Sequence, residues 1–210
     1  MPWNSAGNGA LFTADEAHCL PLVVRIPEIC FVYPEIDVRV DEGEDEEVSR
    51  WLIERRVDVG FVVLPDERFD TVPLVEDQFV ALIPAAHPLA AKKAVSLADV
   101  SAMPFIMTLA GSASAIQRLF EQARLHPAVK QRYAQIITII KMVENGSGFS
   151  IVADLAAPDQ IMALCPGVTK KPLAPRVKRS VGLAVLKREH VSPAVKAFLT
   201  VARSVAATLR

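Results

Sequence analysis

The stretch "RRVDVGFVVLP" (55–65) constrains the fold more than any other part of the chain. From Val59 to Val63 there is no polar side chain, and Pro65 ends the run. A strand that is apolar at every position has both faces covered, as in an α/β sheet flanked by helices. "EDEEVSRWLIERR" precedes it, with Val48, Trp51, Leu52 and Arg55 at helical spacing. Acids fill its first turn and arginines its last, the order that complements a helix dipole. Before the helix, "IDVRVDEG" alternates like a half-buried strand. Strand, helix and strand in so short a span predict a βαβ unit, a parallel sheet and a right-handed crossover.

The same grammar continues on both sides. "FTADEAHCLPLVVRIPEICFVYP" reads as a helical segment, with Thr13 and Glu16 at capping-box spacing and breaks at Pro21 and Pro27. "DTVPLVEDQFVALIPAAHPLA" reads as two short strands and a Pro-rich exit. "SLADVSAMP" predicts a short capped helix and "FIMT" a buried strand. "SASAIQRLFEQARLHP" predicts a helix starting near Ser114, with Gln117 three residues on. "QRYAQI" is a strand, and "TIIKMVENGSG" a helix stopped by Gly146. "FSIVAD", "VTKKPLAP" and "RSVGLAVLK" are strands. "SPAVKAFLTVARSVAATLR" closes with Ser192 as N-cap and Pro193 at the first helical position. A strand, a Thr/Ser/Gly turn and a helix start occur twice, at 10–20 and 105–117, which predicts two α/β lobes. Lobe I takes 10–84 plus 185–210 and lobe II takes 85–184. Residues 1–9 read as a remnant outside the fold.

At 51% hydrophobic and 22% charged, the 210 residues have globular composition. The longest uncharged run, "VSAMPFIMTLAGSASAIQ", is broken by Pro104 and Gly111, so no membrane partner is expected. A formal charge of −1 gives no overall excess of basic residues for gripping a nucleic-acid backbone. Cys19, Cys30 and Cys165 are odd in number and far apart, which reads as free thiols in the cytoplasm. His18, His126 and His190 show no metal spacing, and His87, before Pro88, reads as a surface or hinge residue. No P-loop, G-x-S-x-G or Ser/His/Asp set is present, so neither cofactor nor catalytic residue is expected.

In open α/β sheets, ligands bind beyond the carboxyl ends of the strands. Four such ends are candidates: "LFTAD", "DEGED", Leu64-Pro65 and "MTLAGSAS". Three of them deliver helix N-termini with free N–H groups and partial positive charge. Thr13, Thr108, Ser112 and Ser114 add hydroxyls. Taken singly, each hydroxyl reads as a helix cap; taken together, they suit a small carboxylate or other anion. Asp15 and Asp45 at two of these N-termini favour an effector that also carries an ammonium group.

The order of segments resembles the effector-binding domain of LysR-type transcriptional regulators. The stretches that carry the resemblance are "YPEIDVRVDEGEDEEVSRWLIERRVDVGFVV", "PLVEDQFVALIPAAHPLA", "SLADVSAMPFIM", "MVENGSGFSIV" and "SPAVKAF", and the resemblance covers roughly 10 to 208. "HPLA" followed by "SLADV" is the most specific pair. The resemblance implies two Rossmann-like lobes, periplasmic-binding-protein-like, with a small-molecule effector in the cleft between them. It implies contacts from Thr13, Ala14 and Asp15, from Gly43 and Asp45, and from Leu64 and Pro65. Thr108, Leu109, Gly111 and Ser112 are implied in the second lobe, with Gly148 and Phe149 before "FSIV". Asp45 departs from the family, which often has Ser or Thr there. The family's N-terminal winged helix-turn-helix is absent from these residues, so DNA would be bound only through that part. A homodimer through this domain is implied, and a tetramer at full length. A first-lobe helix would form the dimer contact; Trp51 and Ile53 lie on different faces of "DEGEDEEVSRWLIERR" and cannot both face the sheet. Two other readings stay open: a solute-binding protein of a transport system, with the same fold, and a small α/β enzyme using the same cleft.

Overall fold

The computed structural model describes residues 9–14, 37–43 and 45–207. The chain divides into two compact units. Unit 1 is Met1–Glu76 with Ser180–Arg210, and unit 2 is Asp77–Arg179. The crossings thus fall at 76/77 and 179/180, where the sequence reading puts them at 84/85 and 184/185.

In unit 1, strand β1 (Gly9–Ala14) lies between β2 (Asp37–Glu42) and β3 (Val59–Leu64), parallel to both. Helix α1 (Asp45–Ile53) makes the crossover from β2 to β3. This is the βαβ unit read from the sequence, with β1 inserted between its two strands. β9 (Lys178–Val185) runs antiparallel to β3, pairing Gly60 with Ala184 and Leu64 with Ser180. The sheet is therefore mixed, which corrects the all-parallel expectation.

Burial of "VGFVV" has two sources. Val59 and Phe61 pack with Val72, Leu74, Val181 and Leu183 under helix α6 (Pro193–Ala207), which contributes Val195, Phe198, Leu199 and Ala202. Val62 faces the other way, into Val48, Trp51 and Leu52 of α1. A Cβ on Gly60 would lie 2.7 Å from Val48 Cγ1, so α1 rests directly on the strand. Trp51 is buried, and Ile53 is a large apolar residue of that helix left outward, 54% exposed. Ser192 caps α6 through Oγ, which accepts from Val195 N–H at 3.2 Å.

β4 (Asp70–Pro84) is one strand of 15 residues, not two short ones. The polar "EDQ" inside it reads as a break, but Asp77 is buried against a cation and keeps the strand going. In unit 2, β4 pairs antiparallel with β7 (Ser150–Ala153) and β8 (Val168–Pro172). β5 (Pro104–Thr108) joins the head of β7, because Ile106 N–H donates to the Phe149 carbonyl at 2.8 Å. β6 (Ala128–Tyr133) lies parallel to β5. One face is covered by α2 (Leu97–Ser101) and α3 (Ala113–Gln122) through Val100, Ile116 and Phe120. The other is covered by α4 (Ile136–Glu144) through Ile139, Ile140 and Val143, with α5 (Asp159–Met162) beside it. Gly146 ends α4 region with φ +75, a conformation that favours glycine.

Among the described residues no helix is long and apolar enough to cross a membrane. Cys165 is a buried free thiol; Cys19 and Cys30 lie outside the described residues.

Candidate functional site

In unit 1, parallel pairing sets the ends of β1 and β2 side by side: Thr13 opposite Asp41, and Ala14 opposite Glu42. Thr13 also pairs with Gly60, so β3 continues past the end of β1 to Leu64. Gly43 follows β2 and lies under Trp51, where a Cβ would sit 2.5 Å from the indole. Asp45 opens α1. Asp15 lies outside the described residues, as do Glu16 and the segment after it that the sequence predicts to be helical.

This edge carries its own cation. Arg68, from the loop after β3, donates to Asp66 through Nε (2.9 Å) and Nη2 (2.7 Å), and to Ser49 Oγ on α1 at 2.9 Å. Its guanidinium is 3.8 Å from Glu46. These hydrogen bonds hold the Asp66 carboxyl below the ordinary range and push Arg68 up, with further attraction from Glu46 and Asp45. The acidic first turn of α1 thus already faces a guanidinium. Leu64-Pro65 is a cis peptide bond at the start of this loop.

In unit 2, the turn between β5 and α3 gathers Thr108, Leu109, Gly111 and Ser112. Thr108 and Ser112 are each 5% exposed, while Leu109 is 52% exposed. Thr108 Oγ1 accepts from Ala110 N–H at 3.1 Å and so folds the turn on itself. Leu109 N–H donates to Tyr133 C=O at 2.8 Å, tying the turn to the end of β6. Ser112 stands at the N-cap position of α3, yet its side chain makes no capping hydrogen bond. It accepts instead from Arg179 Nη1 at 3.2 Å. The capping box predicted at Ser114 and Gln117 does not form: the helix begins at Ala113, and Gln117 bonds Glu121.

Arg179 and Asp77 are the residues that sequence reasoning missed. Asp77 Oδ2 receives Arg179 Nε at 2.7 Å and lies 2.6 Å from Nη2. Asp77 Oδ1 accepts from the backbone N–H of Gln78 (2.8 Å) and Leu155 (3.2 Å). The two side chains are 5% and 1% exposed. Each looks like an ordinary surface charge in sequence, and 102 residues separate them.

Gly148 and Phe149 are not brought to this turn. A Cβ on Gly148 would lie 2.5 Å from Pro104 O, at the opposite end of β5 from Thr108. At about 3.3 Å per residue, that is roughly 13 Å along the strand. Phe149 is buried in the core, edge-on to His87 at 4.9 Å. The end of β7 that does reach the Asp77 cluster is the far one, through Leu155 N–H and through Asp154, which accepts from Gln78 Nε2 at 3.2 Å. Among the described residues no cluster of three or more His, Cys, Asp or Glu could hold a metal.

Helices on both sheet faces and two strands that cross between the units define a two-lobed α/β fold of the periplasmic-binding-protein type. The family model "LysR substrate binding domain" matches residues 13–207, and the chain belongs to that family. Among its relatives, YvbU of Bacillus subtilis, an uncharacterized HTH-type transcriptional regulator, is 32% identical over 91% of this chain and 64% of its own length. This chain therefore spans less than two thirds of that relative. HinK, a LysR family transcriptional regulator from Pseudomonas aeruginosa, superposes with a TM-score of 0.83 at 26% identity, over 99% of this chain and 73% of HinK. The effector-binding domain of QuiR, solved in complex with shikimate, superposes with a TM-score of 0.82 at 19% identity, covering 97% and 99% of the two chains.

Proposed function

We propose that this chain is the ligand-sensing part of a cytoplasmic transcription regulator and that its effector carries a carboxylate or similar anion. It catalyses no reaction. DNA contacts belong to a portion of the longer protein outside these 210 residues, and the sensing domain acts as a homodimer, within a tetramer at full length. The carrying observation is Ser112: it occupies a helix N-cap position and leaves the capping role unfilled. Ala113 N–H is taken by the Ala110 carbonyl at 2.8 Å, so it is the N–H groups of the next two residues, with the partial positive charge of the helix start, that this reading gives to an anion. Thr108, buried beside it in sequence and hydrogen-bonded within the same turn, adds a second hydroxyl. The contacts expected from the sequence at Thr13, Ala14, Gly43, Asp45, Leu64 and Pro65 belong to the same reading, and QuiR, which has a similar fold, is solved in complex with shikimate, a carboxylate. The effector shifts the regulator only by its differential affinity for two conformations, about 1–3 kcal/mol of coupling.

Thermal-shift screening with acetate, benzoate, succinate and shikimate tests the reading, since a ligand that binds only the folded state raises Tm. A rise with at least one carboxylate, abolished by Ser112→Ala, is expected. No rise with any of the four, or a rise unaffected by Ser112→Ala, contradicts it. Gel-shift analysis of these residues alone should show no sequence-specific DNA complex, and sedimentation at tens of micromolar should show dimers.

A further inference from the structure

We infer that the two strands crossing between the units form one antiparallel ribbon, pinned at the boundary by the buried Asp77–Arg179 pair, and that this ribbon passes a change in one unit on to the other. β4 and β9 are neighbours in the sheet, and each runs through both units. Their contacts advance in opposite directions along the two strands. In unit 1, Gly182 lies against Val72, where a Cβ would come within 2.5 Å of the Val72 carbonyl oxygen. In unit 2, Arg179 meets Asp77, and Phe79 N–H donates to the Val177 carbonyl at 2.9 Å. β3 holds β9 from its other side, with Leu64 opposite Ser180.

Asp77 is the first residue of unit 2 and Arg179 the last, so the pair joins the strands at the point of crossing. Segments that cross a domain boundary are ordinarily exposed and make few contacts. These two side chains are instead 1% and 5% exposed. Arg179 Nε and Nη2 converge on Asp77 Oδ2, and the Phe79 ring lies 5.4 Å from the guanidinium carbon. The other Asp77 oxygen is held by the N–H groups of Gln78 and Leu155. Parting the strands here would leave two buried charges uncompensated. Two separate linkers would let each strand bend alone. A pinned ribbon opens and twists as one body, so a disturbance at Val72 is felt at Phe79.

Amide hydrogen exchange on the 210-residue chain tests this, because amides that open in one cooperative event share one protection. In wild type, β4 and β9 amides on both sides of the boundary should agree within about threefold. Asp77→Asn/Arg179→Met removes both charges and keeps an acceptor for Gln78 and Leu155. It should speed exchange about tenfold across 72–76 and 180–184 in unit 1 as well as at 77–79. Gly182→Ala, in unit 1, should speed the Phe79 amide in unit 2 by a similar factor. Amides of Ile139 and Ile140 in α4 and of Leu199 in α6 should stay within about twofold in both variants. Faster exchange confined to the unit that carries the substitution overturns the inference. An equal rise at Ile139, Ile140 and Leu199 also overturns it, since the pair would then only add global stability. Should the double variant not fold, Gly182→Ala decides alone: an unmoved Phe79 amide overturns the inference and a faster one upholds it.

Discussion

Two serines in the same unit stand at the same local position and do opposite things. Ser96 precedes α2 and spends its hydroxyl on the helix: Oγ accepts from Asp99 N–H at 3.0 Å, and Asp99 returns a bond to Ser96 N–H at 2.9 Å. Ser112 precedes α3 and turns its hydroxyl to Arg179. Local sequence distinguishes them in one respect. Ser96 has an acid three residues on, which completes a capping box, whereas Ser112 has Ala115. On the proposed reading, the helix start without its reciprocal partner is the one that offers N–H groups to a ligand, so two positions that a single rule would treat alike differ in what their hydroxyls bond.

The largest effect that would sharpen this contrast lies at Asp77. Asp77→Ala leaves Arg179 buried without its counter-ion and should cost about 3–5 kcal/mol in urea unfolding. A loss under 1 kcal/mol would mean the pair does not hold the Ser112 side of the comparison. Next comes coupling. Ser112→Ala and Arg179→Lys should be non-additive in stability by about 1–2 kcal/mol, while Ser96→Ala and Arg179→Lys should add within about 0.5 kcal/mol. Ser96→Ala alone should cost about 1 kcal/mol.

The Ser96 cap also has a pH signature. Backbone and side-chain bonds from Ser96, with Lys92, hold Asp99 below its ordinary value of 3.8. A carboxylate with a lowered folded pKa adds stability that is present above the unfolded value and lost as pH falls through the folded one. The urea midpoint gap between wild type and Asp99→Asn should therefore be full at pH 7 and shrink below pH 3.8. The smallest effect is at the other end of α3, where Arg124 holds φ +54. Arg124→Gly should gain about 0.5 kcal/mol.

The reach of the sequence follows the same division. "VGFVV" announced a strand covered on both faces, and α1 and α6 cover it. The Ser96 helix and the Ser192 cap were legible because all their partners lie within three residues. β4 was not, because Asp77 has the polarity of a turn and the environment of a core. Gly148 makes a close approach to the Pro104 carbonyl that the sequence does not encode. The continuity of β4 and the Asp77–Arg179 pair depend on contacts made across tens of residues, which periodicity and spacing do not encode, whereas the capping box expected at Ser114 was lost locally, Gln117 bonding Glu121 instead.

The central claim is that the turn from Thr108 to Ser112, with Ser112 presented by Arg179, receives the anionic group of the effector. Its most direct test is a 1H–15N NMR titration of the chain with shikimate or benzoate, following the Gly111 to Ser114 amides and the Arg179 Nε–H. The account predicts that these signals shift together, saturably and with one dissociation constant, and that in Ser112→Ala the Arg179 Nε–H no longer responds. Saturable binding that shifts amides elsewhere in the chain and leaves this turn and Arg179 unmoved would contradict it.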